Sequence, residues 1–316
     1  MHADARIYVA GSRTFVGRAI VEGLAAEGFT RVVGFGDDEP NATDPAAVDR
    51  FFADVRPEYV FVTAGAQAGI AGNVKRPADL MIDNLRVVAS VIPAAQRHGA
   101  VKLLYLGSSC IYPKQAAQPF HPDMLWTGPV EPTSDAYATA KLAGVKLVDA
   151  IRRQHGTSFI AAIAADAYGP GDDFSVENSH VGAGLIRRAH EARVAHAPVL
   201  EIWGTGTPRR EFIYVDDLAS ACLFAMRHYD APAPINLGVG QTTSIADLAR
   251  LVCDVVGYTG QLRFDTSRPD GIPLKGLDSS TLRELGWQPT WDLRRGLEAT
   301  YAWYARALAP VESPRA

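Results

Sequence analysis

The chain's 316 residues suffice for about two domains of roughly 100–200 residues, and its 47% hydrophobic and 21% charged content excludes disordered and fibrous classes. With 31 Lys and Arg against 35 Asp and Glu, a net charge of −4, it lacks the basic footprint of a nucleic-acid partner, and no apolar run approaches the roughly 18 residues of a membrane span. Cys110, Cys222 and Cys253 are odd in number and lack any Cys/His metal spacing, and the first residues carry Asp4 and Arg6 instead of a leader pattern, so the expectation is a metal-free cytoplasmic protein.

In chain order, the spacing of apolar and β-branched residues predicts a strand over 6–10, a helix over 15–27, a strand over 31–35 and a helix over 45–54. A strand follows over 59–63, a helix over 77–98, a strand over 102–106, a helix over 136–155 and a strand over 158–162. Such alternation gives βαβ units and an α/β fold, a doubly wound parallel Rossmann sheet, and the near-continuous runs IYVA, YVFVT and LLYL suit strands buried on both faces. After Tyr168-Gly169-Pro170 the pattern loosens. A helix over 181–193, a loop over 203–210, regular stretches over 212–226 and 235–239, a helix over 245–256, a strand over 261–265, a turn over 268–271 and two further helical pieces follow. The expectation is a dinucleotide-binding domain over 1–167 and a smaller α/β substrate lobe over 168–316, with ligands at the carboxyl ends of the strands between them.

The first chemical motif follows the first strand: Gly11, Ser12, Arg13, Thr14, Phe15, Val16 and Gly17 open a helix. A glycine turn there lets backbone N–H groups approach a pyrophosphate at the positive helix terminus. About twenty residues beyond, the second strand ends at the acidic run Gly36-Asp37-Asp38-Glu39, of which Asp37 and Asp38 are the expected contacts. A carboxylate there accepts hydrogen bonds from an adenosine ribose and repels a 2′-phosphate, which points to NAD over NADP. The third constellation is Ser108 and Cys110 after LLYL, then Tyr137 and Lys141 four residues apart. On a helix, Tyr137 and Lys141 point the same way, and an ammonium beside a phenol is expected to lower its pKa, making Tyr137 an acid and base near neutrality. Ser108 and Cys110, two apart on extended chain, are expected to face one side together.

The segments LLYLGSSCIYPK, EPTSDAYATAK, YGPGDDF, NSH, WGTGTPRREF and RPDGIP together resemble the GDP-L-fucose synthases, the GDP-4-keto-6-deoxymannose 3,5-epimerase-4-reductases of the extended short-chain dehydrogenase/reductase family. The resemblance implies a GDP-sugar substrate whose C3 and C5 protons, acidified by the 4-ketone, are exchanged by Cys110 as base and His180 as acid. Hydride then passes from NAD(P)H to C4 while Tyr137, with Ser108 and Lys141, protonates the oxygen. It implies cofactor contacts from the glycine turn, Asp37, Asp38, Leu106, Lys141, Ala164, Asp166 and His180. Arg188, Trp203, Arg210 and Asp270 are implied on the nucleotide-sugar, with Arg187 and Arg209 as solvated neighbours. It further implies a homodimer through the helices 77–98 and 136–155, and re-entry of the chain into the first domain near 212–238.

The chain departs from that family around the cofactor. Thr14 stands where the third glycine of the turn is usual, Asp37 where an arginine suits a 2′-phosphate, and Asp166 where an amide is usual, while 63–69 (TAGAQAG) differs from the family's loop beside the nicotinamide. Two alternatives within the same chemistry follow: a redox-neutral NAD-dependent GDP-sugar epimerase, and a 4-ketoreductase of another GDP-deoxysugar or heptose. An alternative of another class is a non-catalytic nucleotide-sugar or dinucleotide sensor, against which the complete acid/base set speaks.

Overall fold

A computed structural model describes residues 1–268 and 270–308, so Pro269, within the turn expected over 268–271, lies outside the described residues. The first half runs β1 (Ile7–Ala10), α1 (Phe15–Ala26), β2 (Val32–Val33), α2 (Pro45–Val55), β3 (Tyr59–Val62), α3 (Ile70–Lys75), α4 (Pro77–Arg97), β4 (Lys102–Ser108), α5 (Asp135–His155) and β5 (Ile160–Ala164). Local chemistry sets the limits of these elements. Asp44 caps α2 by accepting from the N–H groups of Ala46 and Ala47, with Pro45 at the first helical position where its missing N–H costs nothing. Gly156 ends α5 in the left-handed conformation. The buried stripe Ala138, Lys141, Val145 and Val148 recurs every three to four residues, which draws Lys141 inward with the apolar face.

Six parallel strands lie in the order β10-β5-β4-β3-β1-β2, where β10 is Ile235–Leu237. The expected doubly wound sheet is therefore present. Because β2 lies on one side of β1 and β3 on the other, the strand order reverses next to the carboxyl end of β1, where a crevice opens for a ligand. The last expected strand of this half is shifted, from 158–162 to Ile160–Ala164, with register Leu104↔Ile160 through Ser108↔Ala164. Pairing with β4, which the local sequence does not reveal, sets that position.

The second half runs β6 (Asp166–Tyr168), α6 (Val181–Val194), β7 (Val199–Trp203), β8 (Arg209–Arg210), β9 (Phe212–Tyr214), α7 (Val215–His228), β10, β11 (Thr243–Ser244), α8 (Ile245–Val256), β12 (Gln261–Asp265), β13 (Leu274–Lys275), α9 (Ser280–Glu284) and α10 (Leu293–Leu308). The loop expected over 203–210 instead contains the end of β7 and all of β8. These edges form because β7 pairs with β12, and β8 lies between β11 and β13. Such pairings join segments distant in sequence and leave no periodic trace. Two clusters of buried side chains result. The larger surrounds the six-stranded sheet and takes in Ile213, Leu218, Cys222, Met226, Ile235 and Leu237, as well as Leu277, Leu282 and Trp287. The smaller gathers Ile186, Leu200, Ile202, Leu248, Val252 and Leu297. Among the described residues, no helix is long and apolar enough to cross a membrane.

Candidate active site

The turn after β1 is shaped for an anionic ligand. Gly11 takes a φ of 91°, and a Cβ there would lie 2.6 Å from the backbone nitrogen of Ala64, so no other residue fits without displacement. Thr14 answers the question raised by the absent third glycine. Its backbone is extended (φ −70°, ψ 161°), and its hydroxyl donates to Gly11 O at 2.7 Å and accepts from Gly17 N at 3.1 Å, capping α1 directly. The N–H groups of Phe15 and Val16 carry no hydrogen bond among the described residues, which leaves two donors at the positive end of α1, where an anion is favoured.

The acidic residues beyond β2 are arranged differently from the expectation. Asp37 is exposed and pairs with Arg13 at 2.7 Å, and Arg13 also donates to Gly36 O. Asp38 is exposed as well. Glu39, the last acid of that run and not among the expected contacts, reaches the turn itself: its carboxylate accepts from Gly11 N at 2.5 Å, from Ser12 N at 3.1 Å and from Ser12 Oγ at 2.6 Å. A helical turn at Gly36–Asp38 rotates the chain after β2 and carries Glu39 inward. The run of three acids was the available signal; which of them turns inward depends on that backbone turn.

At the end of β4, Ser108, Cys110, Tyr137 and Lys141 come together. The reason is not the alternation expected for Ser108 and Cys110, because Ser109–Ile111 forms a tight helical turn immediately after Ser108. The Ser108 hydroxyl lies near both Cys110 and Tyr137 and favours the ionised form of each. Lys141 Nζ donates to Leu106 O at 3.4 Å and lies 5.9 Å from the centre of the Tyr137 ring. The expected lowering of the Tyr137 pKa is absent from the protein alone. Burial raises that phenol well above its ordinary range, with Cys110 and Tyr105 adding and only Ser108 opposing. Burial also pushes the Lys141 ammonium down to about 8, against the pull of Cys110. The Cys110 thiol is raised, first by burial, while Ser108, Lys275 and Lys141 act the other way and Asp166 adds to the rise.

Asp166 follows β5, the strand that ends at Ala164, and its carboxylate does not point to an open subsite. It accepts from Lys275 Nζ at 2.6 Å and from Ser109 Oγ at 3.3 Å. Burial opposes its ionisation, but Lys275, with smaller help from His180 and Arg210, holds the carboxyl below its usual value. Lys275 is the second residue that sequence reasoning missed; it stands two residues after the RPDGIP motif, and its register opposite Arg210 on β8 delivers it here. His180 is the residue before α6, partly open to solvent and partly surrounded by protein. Loss of water to the surrounding protein lowers its imidazole, Asp166 pulls the other way, Lys275 lowers it further and Asp173 raises it. The segment carrying His180 is fastened to the sheet domain: Gly69 N donates to Asn178 O at 2.9 Å, Arg76 Nη2 donates to Asn178 Oδ1 at 3.1 Å, and Lys75 pairs with Glu177.

The residues expected at the sugar nucleotide form a looser group. Trp203 is 62% exposed, so it is no core aromatic, and Arg268 lies over its ring at 5.1 Å. Asp270 accepts from Thr205 N at 2.9 Å and Thr205 Oγ1 at 2.7 Å, which ties it beside Trp203. Arg210 is fixed by Ile272 O at 2.6 Å. Arg188 is half-buried on α6, with no hydrogen bond or ion pair among the described residues. Its neighbour Arg187 is not a solvated residue: its side chain is 14% exposed and pairs with Glu191 one turn away. Arg209 is exposed and donates to the carbonyl and hydroxyl of Thr242.

The sequence profile of the family described as "NAD dependent epimerase/dehydratase family" matches residues 7–239. GDP-L-fucose synthase 1 of Arabidopsis thaliana is 47% identical over 303 residues, covering 96% of this chain and 94% of that protein. A solved GDP-6-OMe-4-keto-L-xylo-heptose reductase from C. jejuni superposes with a TM-score of 0.91 at 32% identity, covering 97% of this chain and 99% of that one. A GDP-L-fucose synthetase from Naegleria fowleri, solved bound to NADP, gives 0.88 at 26% identity over 97% of this chain and 94% of that one. With the nucleotide turn, the parallel sheet and these likenesses together, the chain belongs to the NAD dependent epimerase/dehydratase family.

Proposed function

We propose that the protein is an NAD(P)-dependent epimerase-reductase of a GDP-4-keto-6-deoxyhexose, working as a GDP-L-fucose synthase does. The observation that carries this reading is the convergence of Ser108, Cys110, Tyr137 and Lys141 at the end of β4, with His180 reached through Asp166 and Lys275. Gly11, the free N–H groups of Phe15 and Val16, and Glu39 form the dinucleotide seat. The bound nicotinamide supplies or accepts a hydride. The chain's own groups handle protons: Cys110 removes one beside the ketone, His180 returns one to the opposite face, and Tyr137 delivers one to O4. Ser108 orients that oxygen, and Lys141 keeps the phenol in place. Arg188, Arg210, Trp203 and Asp270 would hold the diphosphate and nucleoside, the two guanidinium groups by paired hydrogen bonds.

The domains would divide near 167, with the segment around 212–238 returning to the sheet domain. Dimerisation through α4 and α5, and residence in the cytoplasm, accompany this reading. The redox-neutral epimerase is kept as a second reading because Asp37 occupies Arg13, and that pairing disfavours a 2′-phosphate. Incubating cofactor-stripped protein with GDP-4-keto-6-deoxymannose and either NADPH or NADH separates the two. Stoichiometric loss of reduced nicotinamide with formation of a GDP-6-deoxyhexose is expected. Isomerised sugar without cofactor turnover would establish the second reading, and binding of neither cofactor would overturn both.

A further inference from the structure

We propose that Glu211 is a positioning residue for the sugar nucleotide: its buried carboxylate locks the segment 270–277 to the end of the parallel sheet, and so fixes where Arg210 presents its guanidinium. The inference deepens the proposed function and rests on the placement of the diphosphate at Arg210. Glu211 stands between β8 and β9 and is only 2% exposed. One carboxylate oxygen accepts from Gly240 N at 2.7 Å, just beyond β10, and the other accepts from Leu277 N at 2.6 Å, just beyond β13. Its backbone adds two further ties: Asp166 N donates to Glu211 O at 3.0 Å, and Glu211 N donates to Lys275 O at 3.1 Å. Three stretches of chain far apart in sequence thus meet on one residue. A buried carboxylate with both oxygens engaged by fixed N–H groups has no water to turn to instead.

The neighbourhood is shaped around that carboxylate. A Cβ at Gly238 would lie 2.3 Å from Glu211 Oε1 and 2.9 Å from Ser279 Oγ. Gly238 is not among the glycines with a positive φ, so the space beside the carboxylate, not the backbone conformation, excludes a side chain there. The hold reaches the sugar-nucleotide side through β13, whose register sets Leu274 opposite Arg209 and Lys275 opposite Arg210. Arg210 Nη1 donates to Ile272 O at 2.6 Å, and Asp270, two residues earlier, accepts from Thr205. Arg210 is thus tied to, and Asp270 carried by, a segment whose far end Glu211 holds. Folding does not hang on this hold alone, because Phe120 N donates to Gly276 O at 2.8 Å and Asn236 Nδ2 donates to Asp278 O at 3.0 Å. What the carboxylate adds is the alignment of the segment against the sheet, and a paired guanidinium–diphosphate contact depends on such alignment.

The test uses the full-length protein, with GDP as the probe in calorimetric titration and with NADH and NADPH binding followed by nicotinamide fluorescence. In Glu211→Gln an amide NH2 must face one of the two backbone N–H groups, and in Gly238→Ala a methyl group displaces an intact carboxylate. Each should weaken GDP binding about tenfold, the loss of one hydrogen bond between Arg210 and the diphosphate. Dinucleotide affinity should stay within about twofold, because β1 lies four strands from β10 in sheet order, roughly 19 Å away. The double variant should bind GDP little worse than the weaker single one, since both changes break the same contact. Unaltered GDP affinity in either folded single variant, equal losses of GDP and dinucleotide affinity, or fully additive losses would overturn the proposal. Should Glu211→Gln fail to fold, Gly238→Ala, which keeps the carboxylate, carries the test. Arg210→Ala with unaltered GDP affinity would overturn the placement of the diphosphate at Arg210 and the positioning role with it, whereas a loss in Arg210→Ala without one in Glu211→Gln would overturn the positioning role alone.

Discussion

The two ends of the cleft are held by different means. Ser108, Cys110, Tyr137 and Lys141 sit on β4, the tight turn after it and α5, packed against the main core, and Lys141 Nζ donates to Leu106 O. Around the turn after β1 the groups sit on turns, and the Arg13–Asp37 pair is in solvent, with side chains 62% and 105% exposed. A change at the first end disturbs packing, desolvation and chemistry together. At the second, a side chain can be exchanged at little cost, because water replaces what is lost. Of the departures from the resembling family, Asp37 lies on that second end, whereas Asp166 lies at the first, tied to Ser109 and Lys275.

Substitutions can sharpen this contrast. Tyr137→Phe removes the proton donor to O4 and is expected to slow oxidation of reduced nicotinamide by about 10²–10⁴-fold, with an unaltered far-ultraviolet circular dichroism spectrum as the check on folding. Lys141→Met tests the cost of a buried ammonium. The folded-state pKa of Lys141 is pushed down to about 8, below its unfolded value, so the folded chain binds fewer protons than the unfolded one above that pH. Lys141 therefore destabilises the cofactor-free protein most at and below pH 8, and the penalty fades as pH rises towards the unfolded value. Melting curves of Lys141→Met should lie above those of the parent at pH 7 and approach them near pH 10, while hydride transfer collapses.

Smaller effects belong to the turn-borne end. Thr14→Ala removes the cap of α1 and should lower unfolding free energy by about 1 kcal/mol, read by denaturant titration, whereas Thr14→Gly should cost only a few tenths of that unit. The mildest change is Asp37→Asn, which frees Arg13. A shift of roughly fivefold or less in kcat/KM towards NADPH is expected, since an exposed pair is worth about 0–1 kcal/mol. A shift of a hundredfold would show that the solvent-exposed end is not the permissive one.

The same division governs what could be read from sequence. The sheet was legible because β1, β3 and β4 are apolar along their length and α5 repeats its buried residues regularly. Tyr137 and Lys141 were legible because a fixed helical spacing brings them together. Glu39 and Lys275 were not, since one depends on a backbone turn after β2 and the other on β13 pairing with β8 across some sixty residues of chain. Ser108 and Cys110 were identified correctly as neighbours on a wrong geometric ground. The Tyr137 pKa was misjudged for a related reason: spacing reports the neighbour, while burial, the larger influence, exists only in the folded chain.

The fastening of the His180 segment to α3 and its flanks has a kinetic consequence. Gly69, Lys75 and Arg76 grip residues 177 and 178, so the segment that leads to His180 can move away from α3 only when these contacts open. The Lys75–Glu177 contact is exposed and therefore weakened by dissolved salt within about 10 Å screening at 0.1 M. If departure of the finished sugar nucleotide sets the pace, turnover should quicken with moderate salt, and Lys75→Ala should be as fast without it. One surface ion pair would then act as the enzyme's clock.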